Sequence, residues 1–305
     1  MVGAGIAGVA CARVLVAGGA QVVVVDRGRV PGGRIASRRL EGRYVDLGAS
    51  YLTARDPAFA AVVDDWLARG LARPWTDAFR VATPAGLGET KTGPVRYGAP
   101  GGLRSLVADL AVGLDVRQEV EVTAVGPGPV LDGAAYDAVV LAMPDPQALR
   151  LLDASLVAER QALDGRAWQP VLALAAGWPN RRWDFDGLFV HDSPVLEWVA
   201  DDGARRGDGA PVLVAHSTPA FAATRLVDPP AAGPELAAAL CGLLALDPPD
   251  WSRVQRWTFA KPVGTREQPH HLGPARVGLC GDGWGASKVE AAWLSGTGLG
   301  RALLG

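Results

Sequence analysis

Cysteine is scarce in this chain of 305 residues: Cys11, Cys241 and Cys280, an odd number at wide spacing. That argues against a disulfide framework. There is no Cys-x-x-Cys and no His-x-x-x-His, and the adjacent His270-His271 point to opposite faces of an extended segment, so no metal is expected. Long apolar runs are also missing. No stretch approaches the ~20 residues of a bilayer span, and the longest apolar helix candidate, Leu236 to Leu246, is short and carries Gly242. Charge of one sign is nowhere concentrated: 30 basic and 32 acidic residues give a net charge of −2 without like-charge runs. This excludes the basic stripe that neutralises nucleic-acid phosphates. No Gly-x-Ser-x-Gly nucleophile pattern, no internal repeat and no signal-peptide pattern ahead of Gly3 occurs. The expectation is a soluble, reduced, cytoplasmic protein without nucleic-acid or membrane partners.

Glycine, by contrast, is abundant and placed at the two ends. Gly3-Ala4-Gly5-Ile6-Ala7-Gly8 is a G-x-G-x-x-G turn, and Leu279-Cys280-Gly281-Asp282-Gly283 leads into a final helix. In a β-α-β dinucleotide unit the first glycine makes the turn and the second admits the pyrophosphate. The third lets helix and strand pack closely, and the helix N-terminus faces the phosphates. Asp26 ends the run Gln21-Val22-Val23-Val24-Val25, 18 residues after Gly8, where an acidic residue grips a ribose. Taken alone, a G-x-G-x-x-G is an ordinary turn as well as a cofactor motif; Asp26 favours the second. Pro31-Gly32-Gly33-Arg34 adds a close chain approach and a guanidinium able to pair with a phosphate, although a solvated surface arginine fits too. Ser287 and Glu290 form a capping box that starts the last helix at Lys288, running to Leu304. Its positive end would face the pyrimidine edge of a flavin, with Asp282 accepting from the ribityl chain. A Gly turn at each end of one chain describes an extended cofactor held at both ends, which is how FAD is bound.

The periodicities place these motifs. Ala7 to Val16 reads as a helix stopped by Gly18-Gly19, and Gln21 to Asp26 as a buried parallel strand. A helix starts at Asp56-Pro57 with Phe59, Val62, Val63, Trp66 and Leu67 as its apolar stripe and ends at Gly70. Residues 71–100 read as irregular, Gly101 to Gly113 as helix, and Leu114 to Val125 and Val130 to Met143 as strands. Val171 to Trp178, Leu188 to His191, Val195 to Ala200, Val212 to His216 and Val254 to Ala260 are spaced as antiparallel strands, with a helix over Glu235 to Leu246. Val277 to Cys280 returns to α/β texture. The fold expected is α/β: a discontinuous Rossmann-type FAD-binding domain (1–75, 101–150, 263–305) with an inserted antiparallel β-sheet substrate domain (76–100, 151–262).

The order Gly3 to Gly8, Asp26-Arg27, Gly32-Gly33-Arg34 and Gly281-Asp282 resembles the glutathione-reductase-type flavoproteins in their amine-oxidase branch, and within it renalase and its bacterial relatives. Gly33 to Arg39, Asp46-Leu47-Gly48-Ala49-Ser50-Tyr51-Leu52-Thr53-Ala54-Arg55-Asp56-Pro57, Val214 to Thr218, Trp257 to Pro262 and Cys280 to Trp284 carry the likeness over essentially the whole chain. The resemblance implies non-covalent FAD, with Ala7 and its neighbours on the pyrophosphate and Asp26 and Arg27 at the adenosine end. Arg34 would meet the phosphates, Val122 the adenine, Ser50 and Tyr51 the flavin ring, and Val289, Glu290 and Ala291 the pyrimidine carbonyl. It further implies oxidation of 2- or 6-dihydro isomers of NAD(P) to NAD(P)+, with electrons passed to O2 as H2O2. One departure stands out: only Met1 and Val2 precede the Gly turn, so either the start lies upstream, which is the expectation, or the sheet is built with a stub.

Flavin chemistry asks the protein for geometry and a dry, apolar pocket. Tyr51, Trp257 and Trp284 are candidate walls, and His216 and Thr53 candidate anchors, against the plain alternatives of core packing and a satisfied strand histidine. No general base stands out. A flavin amine oxidase remains open, since Lys261, one of three lysines, lies beside Trp257 and Phe259. So does an FAD-poor, non-catalytic or truncated homologue. An NAD-dependent dehydrogenase would leave Gly32 to Arg34 and Gly281 to Glu290 without a role.

Overall fold

The structure, a computed structural model, describes residues 1–163 and 165–305. Its first layer begins with the Gly turn and α1 (Ile6–Ala17), then β1 (Val23–Val25) and the hairpin β2 (Ser37–Leu40) and β3 (Arg43–Asp46). Helix α2 (Pro57–Ala68) starts where Asp56 caps it, its carboxylate accepting from Ala58 N at 2.9 Å and Phe59 N at 3.2 Å. Next come a long hairpin, β4 (Arg73–Thr83) and β5 (Gly86–Gly98), then α3 (Leu103–Leu110) and β6 (Asp115–Arg117). A small meander, β7 (Val125–Gly126), β8 (Val130–Leu131) and β9 (Ala134–Ala135), precedes β10 (Val139–Leu141). Helices α4 (Asp145–Leu151) and α5 (Val157–Leu163) lead into the second layer: β11 (Trp168–Gly177), β12 (Gly187–Val190), β13 (Leu196–Asp201), α6 (Asp202–Arg206), β14 (Val212–Ser217), α7 (Pro219–Ala223), α8 (Gly233–Leu244) and β15 (Trp251–Pro262). The chain returns through β16 (His271–Leu272), β17 (Val277–Leu279) and α9 (Val289–Leu304).

Residues 1–3 occupy the centre of the parallel sheet. Val2 bridges in parallel to Val25 of β1 on one side and to Leu141 of β10 on the other. Val2 N donates to Val140 O at 2.8 Å, Gly3 N to Val25 O at 2.8 Å, and Val25 N to Met1 O at 2.9 Å. The order across the layer is therefore β6, β1, residues 1–3, β10, β17, β16, parallel except for the last pair. The central strand is thus short in this sequence, with Val2 its one bridged residue on each side.

The second layer is one sheet ordered β15-β11-β14-β13-β12-β4-β5, antiparallel except where β12 meets β4. Leu172, Leu174, Leu213 and Ala215 face α7 and α8. Ala173, Ala175, Val212 and Val214 face the β2–β3 hairpin through Val45 and Leu47. Burial on both faces explains why β11 and β14 read as unbroken apolar runs. The irregular reading of 71–100 is corrected here: the segment holds the longest hairpin of the protein. Its outer strand is solvated from Leu87 through Val95, so no apolar alternation marks it. The strands read over Leu114 to Met143 are much shorter than expected, because the chain leaves the sheet after Arg117: Glu119 turns at φ +59, and Glu119 N and Val120 N bond to Gly28 O and Asp26 O, both at 3.0 Å.

Helix α9 lies directly against α1. A Cβ at Gly296 would collide with the Ala7 carbonyl, and one at Gly300 would press on Val14 and the Cys11 carbonyl, so only glycines permit this approach. The crossing carries the C-terminal motif back to the first Gly turn.

Candidate functional site

At the Gly turn each glycine has a distinct physical task. Gly3 has φ +107, a conformation L side chains avoid, and its missing Cβ leaves room for Ala142. Gly8 is held against the Gly3 carbonyl, where any Cβ would clash. Gly5 differs: its φ of −76 suits any residue, and a Cβ there would meet nothing within 4 Å. Gly5 thus lies beside open space rather than protein. Ile6, Ala7 and Gly8 are buried, and as first-turn residues their N–H groups have no carbonyl within the helix to reach; no side chain caps α1. These are the features of an oxyanion-binding turn.

The other motifs gather around it. Asp26 accepts from Ala4 N and from Gly28 N, both at 2.6 Å, fixing the loop after β1 to the turn. Arg27 beside it is exposed. Gly5 bridges Gly32, and Gly33, at φ +56, sits where its Cβ would be 3.4 Å from Gly5 Cα. Arg34 crosses to the far end of the chain and forms a two-pronged pair with Asp282, Nη2 to Oδ1 at 2.6 Å and Nη1 to Oδ2 at 3.0 Å. Its guanidinium also lies 5.1 Å from the centre of the Trp168 ring and donates to Ala260 O at 3.2 Å. Gly281, at φ +141, faces open space as Gly5 does, and its N–H donates to Ser295 Oγ on α9 at 2.9 Å.

The expected capping box at the start of α9 does not form. Lys288 is the N-cap and its side chain makes no capping bond. Ser287 turns back toward Asp282, Oγ to Oδ2 at 3.4 Å, because a 3-10 turn at Asp282–Trp284 redirects the chain. Glu290, buried in the first turn, instead accepts from Arg55 N at 2.5 Å and Asp56 N at 2.7 Å, tying α9 to the start of α2. The helix starts one residue later than expected, and the N–H groups of Val289, Glu290 and Ala291 remain outside its hydrogen-bond ladder, which opens with Ala292 N to Lys288 O at 3.1 Å.

Segment Asp46–Tyr51 is bolted to the second layer by buried charge. Arg205, fully buried, donates to Ser50 O at 2.7 Å and Asp46 O at 3.1 Å and pairs with Asp202 at 2.5 Å. Asp202 also receives Arg43 at 2.6 Å. Asp46 accepts from Ser37 Oγ and from Leu103 N. Burial pushes the Asp46 carboxyl up, with Asp202 adding to the effect and Arg205 opposing it. Tyr51, held by this bolt, joins Trp75, Phe79 and Trp198 in an aromatic cluster, with ring centres 5.4 to 6.3 Å from its own. Thr53 is partly exposed.

The sheet face opposite Asp46–Tyr51 carries His216 on β14, between Ala173 and Trp198. It is buried, its Nε2 has no partner, and burial together with the positive Lys261 and Arg205 pushes its pKa down to about 3. His216 is a neutral imidazole at any physiological pH. Lys261 pairs with Glu197. Trp257 donates Nε1 to Leu47 O at 2.7 Å, so its polar edge serves the hairpin contact.

Two expected site residues lie apart from this group. Trp284 packs among Val139, Leu141, Val277 and Leu279, its ring covered by Arg266 at 4.3 Å and His271 at 6.1 Å. Val122 is partly buried in that same cluster. The sequence reading missed Trp168, which meets Arg34, and the Arg166–Arg266 pair, both of whose guanidinia reach Gly283 O. A cavity of about 340 Å³ opens beside these arginines, lined also by Ala167, Val263 and Thr265. It also missed Trp75, Phe79 and Arg96, which lie in the unread hairpin; the same-face spacing Trp75-x-Asp77-x-Phe79 was the available signal. Among the described residues no group of His, Cys, Asp or Glu is arranged to hold a metal. No helix among them is long and apolar enough to cross a membrane.

Residues 1–66 match the family model described as an NAD(P)-binding Rossmann-like domain. Among solved structures, the chain is similar to cyclohexylamine oxidase from Brevibacterium oxydans IH-35A (13% identity, TM-score 0.76, covering 99% of this chain and 97% of that one). A double mutant of putrescine oxidase with redesigned cofactor binding is similar to the same degree (15%, TM-score 0.77, 99% and 97%). So is reduced UDP-galactopyranose mutase (12%, TM-score 0.78, 99% and 94%). The fold is thus an α/β Rossmann-type dinucleotide-binding layer joined to a multi-stranded sheet, matching over nearly its full length. An oxidase and a mutase sharing this fold show that the fold leaves the reaction open.

Proposed function

We propose that this chain is an FAD-dependent oxidoreductase of the renalase type, oxidising 2- or 6-dihydro isomers of NAD(P) to NAD(P)+ with O2 as final acceptor. The observation that carries the cofactor reading is the meeting of Gly5, Arg34 and Gly281-Asp282, drawn from both ends of the chain, around open space on the glycine side. The residues fit the group. The first-turn N–H groups of α1 would receive the pyrophosphate, Asp26 the adenosine ribose, Arg34 and Asp282 the phosphate and ribityl region, and the first turn of α9 the pyrimidine edge. When bound, FAD supplies a hydride acceptor and a route for electrons to dioxygen. Attachment would be non-covalent: Cys280 is buried and its thiol is held well above its ordinary range by burial, hence unreactive.

The chain's own task is to place the substrate and exclude water. Tyr51, held through the Arg205 contact to Ser50 O, gives the pocket a wall. His216, neutral and with a free Nε2, offers one hydrogen bond without a charge. The block Asp46 to Pro57 supports the dihydro-nicotinamide reading. The three cysteines are unpaired, which suits a reducing, cytoplasmic setting. A second reading, amine oxidation, draws on Lys261 standing in the same strand as Trp257, and on the fold shared with two amine oxidases. Anaerobic mixing of the yellow protein with 2-dihydro-NAD(P), 6-dihydro-NAD(P) and simple amines separates them. Bleaching of the flavin band by a dihydro isomer is the expected result; bleaching by amines alone would reverse the assignment.

A further inference from the structure

Arg96 is a buried cation without an anion among the described residues. Its side chain lies on β5 beside Tyr97, whose backbone pairs with Leu52 through hydrogen bonds of 2.9 and 3.2 Å, so Arg96 stands next to Tyr51. It is 7% exposed. Its guanidinium carbon sits 3.8 Å from the centre of the Phe79 ring and 5.8 Å from that of Tyr51. Neither Nε nor Nη1 has a hydrogen-bond partner, and among the described residues no carboxylate pairs with it. Two more donors of the same cluster are orphaned: Trp75 Nε1 and Trp198 Nε1. Both indoles contact Phe79, with ring centres 5.4 and 4.6 Å away.

Four N–H donors without an acceptor around one pair of rings is a large deficit. Stacking on an aromatic face returns ~0.5–2 kcal/mol to a guanidinium, whereas an unpaired buried charge costs several kcal/mol. Buried indole N–H groups ordinarily find an acceptor. Fully buried Arg205 differs in having a carboxylate, Asp202, and the Asp46 and Ser50 carbonyls, with only its Nε unpaired. The missing partner around Arg96 is therefore an acceptor-rich, negatively charged group that the described residues do not supply.

We propose that Arg96, Trp75 and Trp198 form a subsite for an oxyanion of the substrate, a carboxylate or a phosphate, beside Tyr51. This deepens the oxidoreductase reading by making the substrate an anion, and it rests on that reading only for the placement of Tyr51 in the pocket. A planar guanidinium and indole N–H groups are donors suited to the oxygens of a carboxylate or phosphate, and offer no acceptor to a simple alkylamine.

The test is calorimetric titration of the full chain with acetate and, separately, inorganic phosphate, against chloride at matched ionic strength. Saturable binding of either anion, weakened at least tenfold in Arg96→Met, is the expected result, and which anion binds more tightly tells carboxylate from phosphate. Trp198→Phe, which keeps the ring and removes only the N–H, should weaken binding severalfold; it decides the matter should Arg96→Met not fold. Absence of binding by both anions, or binding unchanged in the variant that folds, overturns the subsite. The titration needs neither turnover nor bound flavin. A colourless protein that binds the anion would contradict the cofactor reading and leave this one intact.

Discussion

In the dinucleotide-binding layer the decisive positions carry no side chain, whereas in the inserted sheet they carry the largest ones. Gly3, Gly8, Gly296 and Gly300 work by what is missing: each leaves space for a backbone or a neighbouring helix. Tyr51, Phe79, Trp198, Arg96 and Arg205 work by filling space and concentrating charge. The first layer is therefore sensitive to any added atom, and the second to the loss of a partner. The two are joined by Asp46–Tyr51, which belongs to the first layer by sequence and is held by Arg205 of the second.

The largest effect should come from breaking that joint. Arg205→Met takes the cation from buried Asp46 and leaves Asp202 with Arg43 alone, and urea denaturation should show a loss of ~3–5 kcal/mol; a loss under ~1 kcal/mol would mean that the joint is not ionic in origin. An added side chain should nearly match it in the first layer. Gly296→Val drives a Cβ into the Ala7 carbonyl where two helices cross, and a loss of about 3 kcal/mol in the same measurement is expected. Indifference there would remove the close-crossing argument.

His216 sharpens the comparison through pH. Its folded pKa of about 3 lies below the ordinary 6.5, so the unfolded chain takes up a proton that the folded one refuses. Stability should fall as pH drops below 6.5 and go on falling toward 3, by about 2 kcal/mol at pH 5 from this group. His216→Gln should flatten that part of the profile, and superimposable profiles would place the imidazole in contact with water. A smaller change is expected at Asp26. Asp26→Ala should weaken flavin retention by ~1–3 kcal/mol, the scale of a lost charged hydrogen bond. Unchanged flavin content would leave Asp26 only its loop-fixing bonds to Ala4 and Gly28.

Much of the first layer was legible because its constraints are local. A glycine at φ +107 ahead of a helix, a capping Asp56 and a valine run ending in Asp26 each declare a backbone requirement within a few residues. Five strands of the second layer were legible as well, β11 and β14 most clearly, since burial on both faces leaves continuous apolar stretches. The β4–β5 hairpin was not, because one strand faces solvent and its register breaks at several points. The role of Glu290 was misread for a related reason: a capping box is a local pattern, and Glu290 is captured by Arg55 and Asp56, far away in sequence. Arg96 had no local signal at all, as an arginine in a polar strand reads as surface until the Phe79 ring is found 3.8 Å away.

The claim that one extended cofactor joins both ends of the chain is tested most directly at Gly5. This residue has an extended conformation open to any side chain, and a Cβ there meets no protein atom. Gly5→Val should therefore fold with unchanged stability yet emerge without the ~450 nm band, which belongs to bound flavin, while the parent chain incubated with FAD is yellow. A parent chain that stays colourless with FAD, or a Gly5→Val protein as yellow as the parent, would contradict the account.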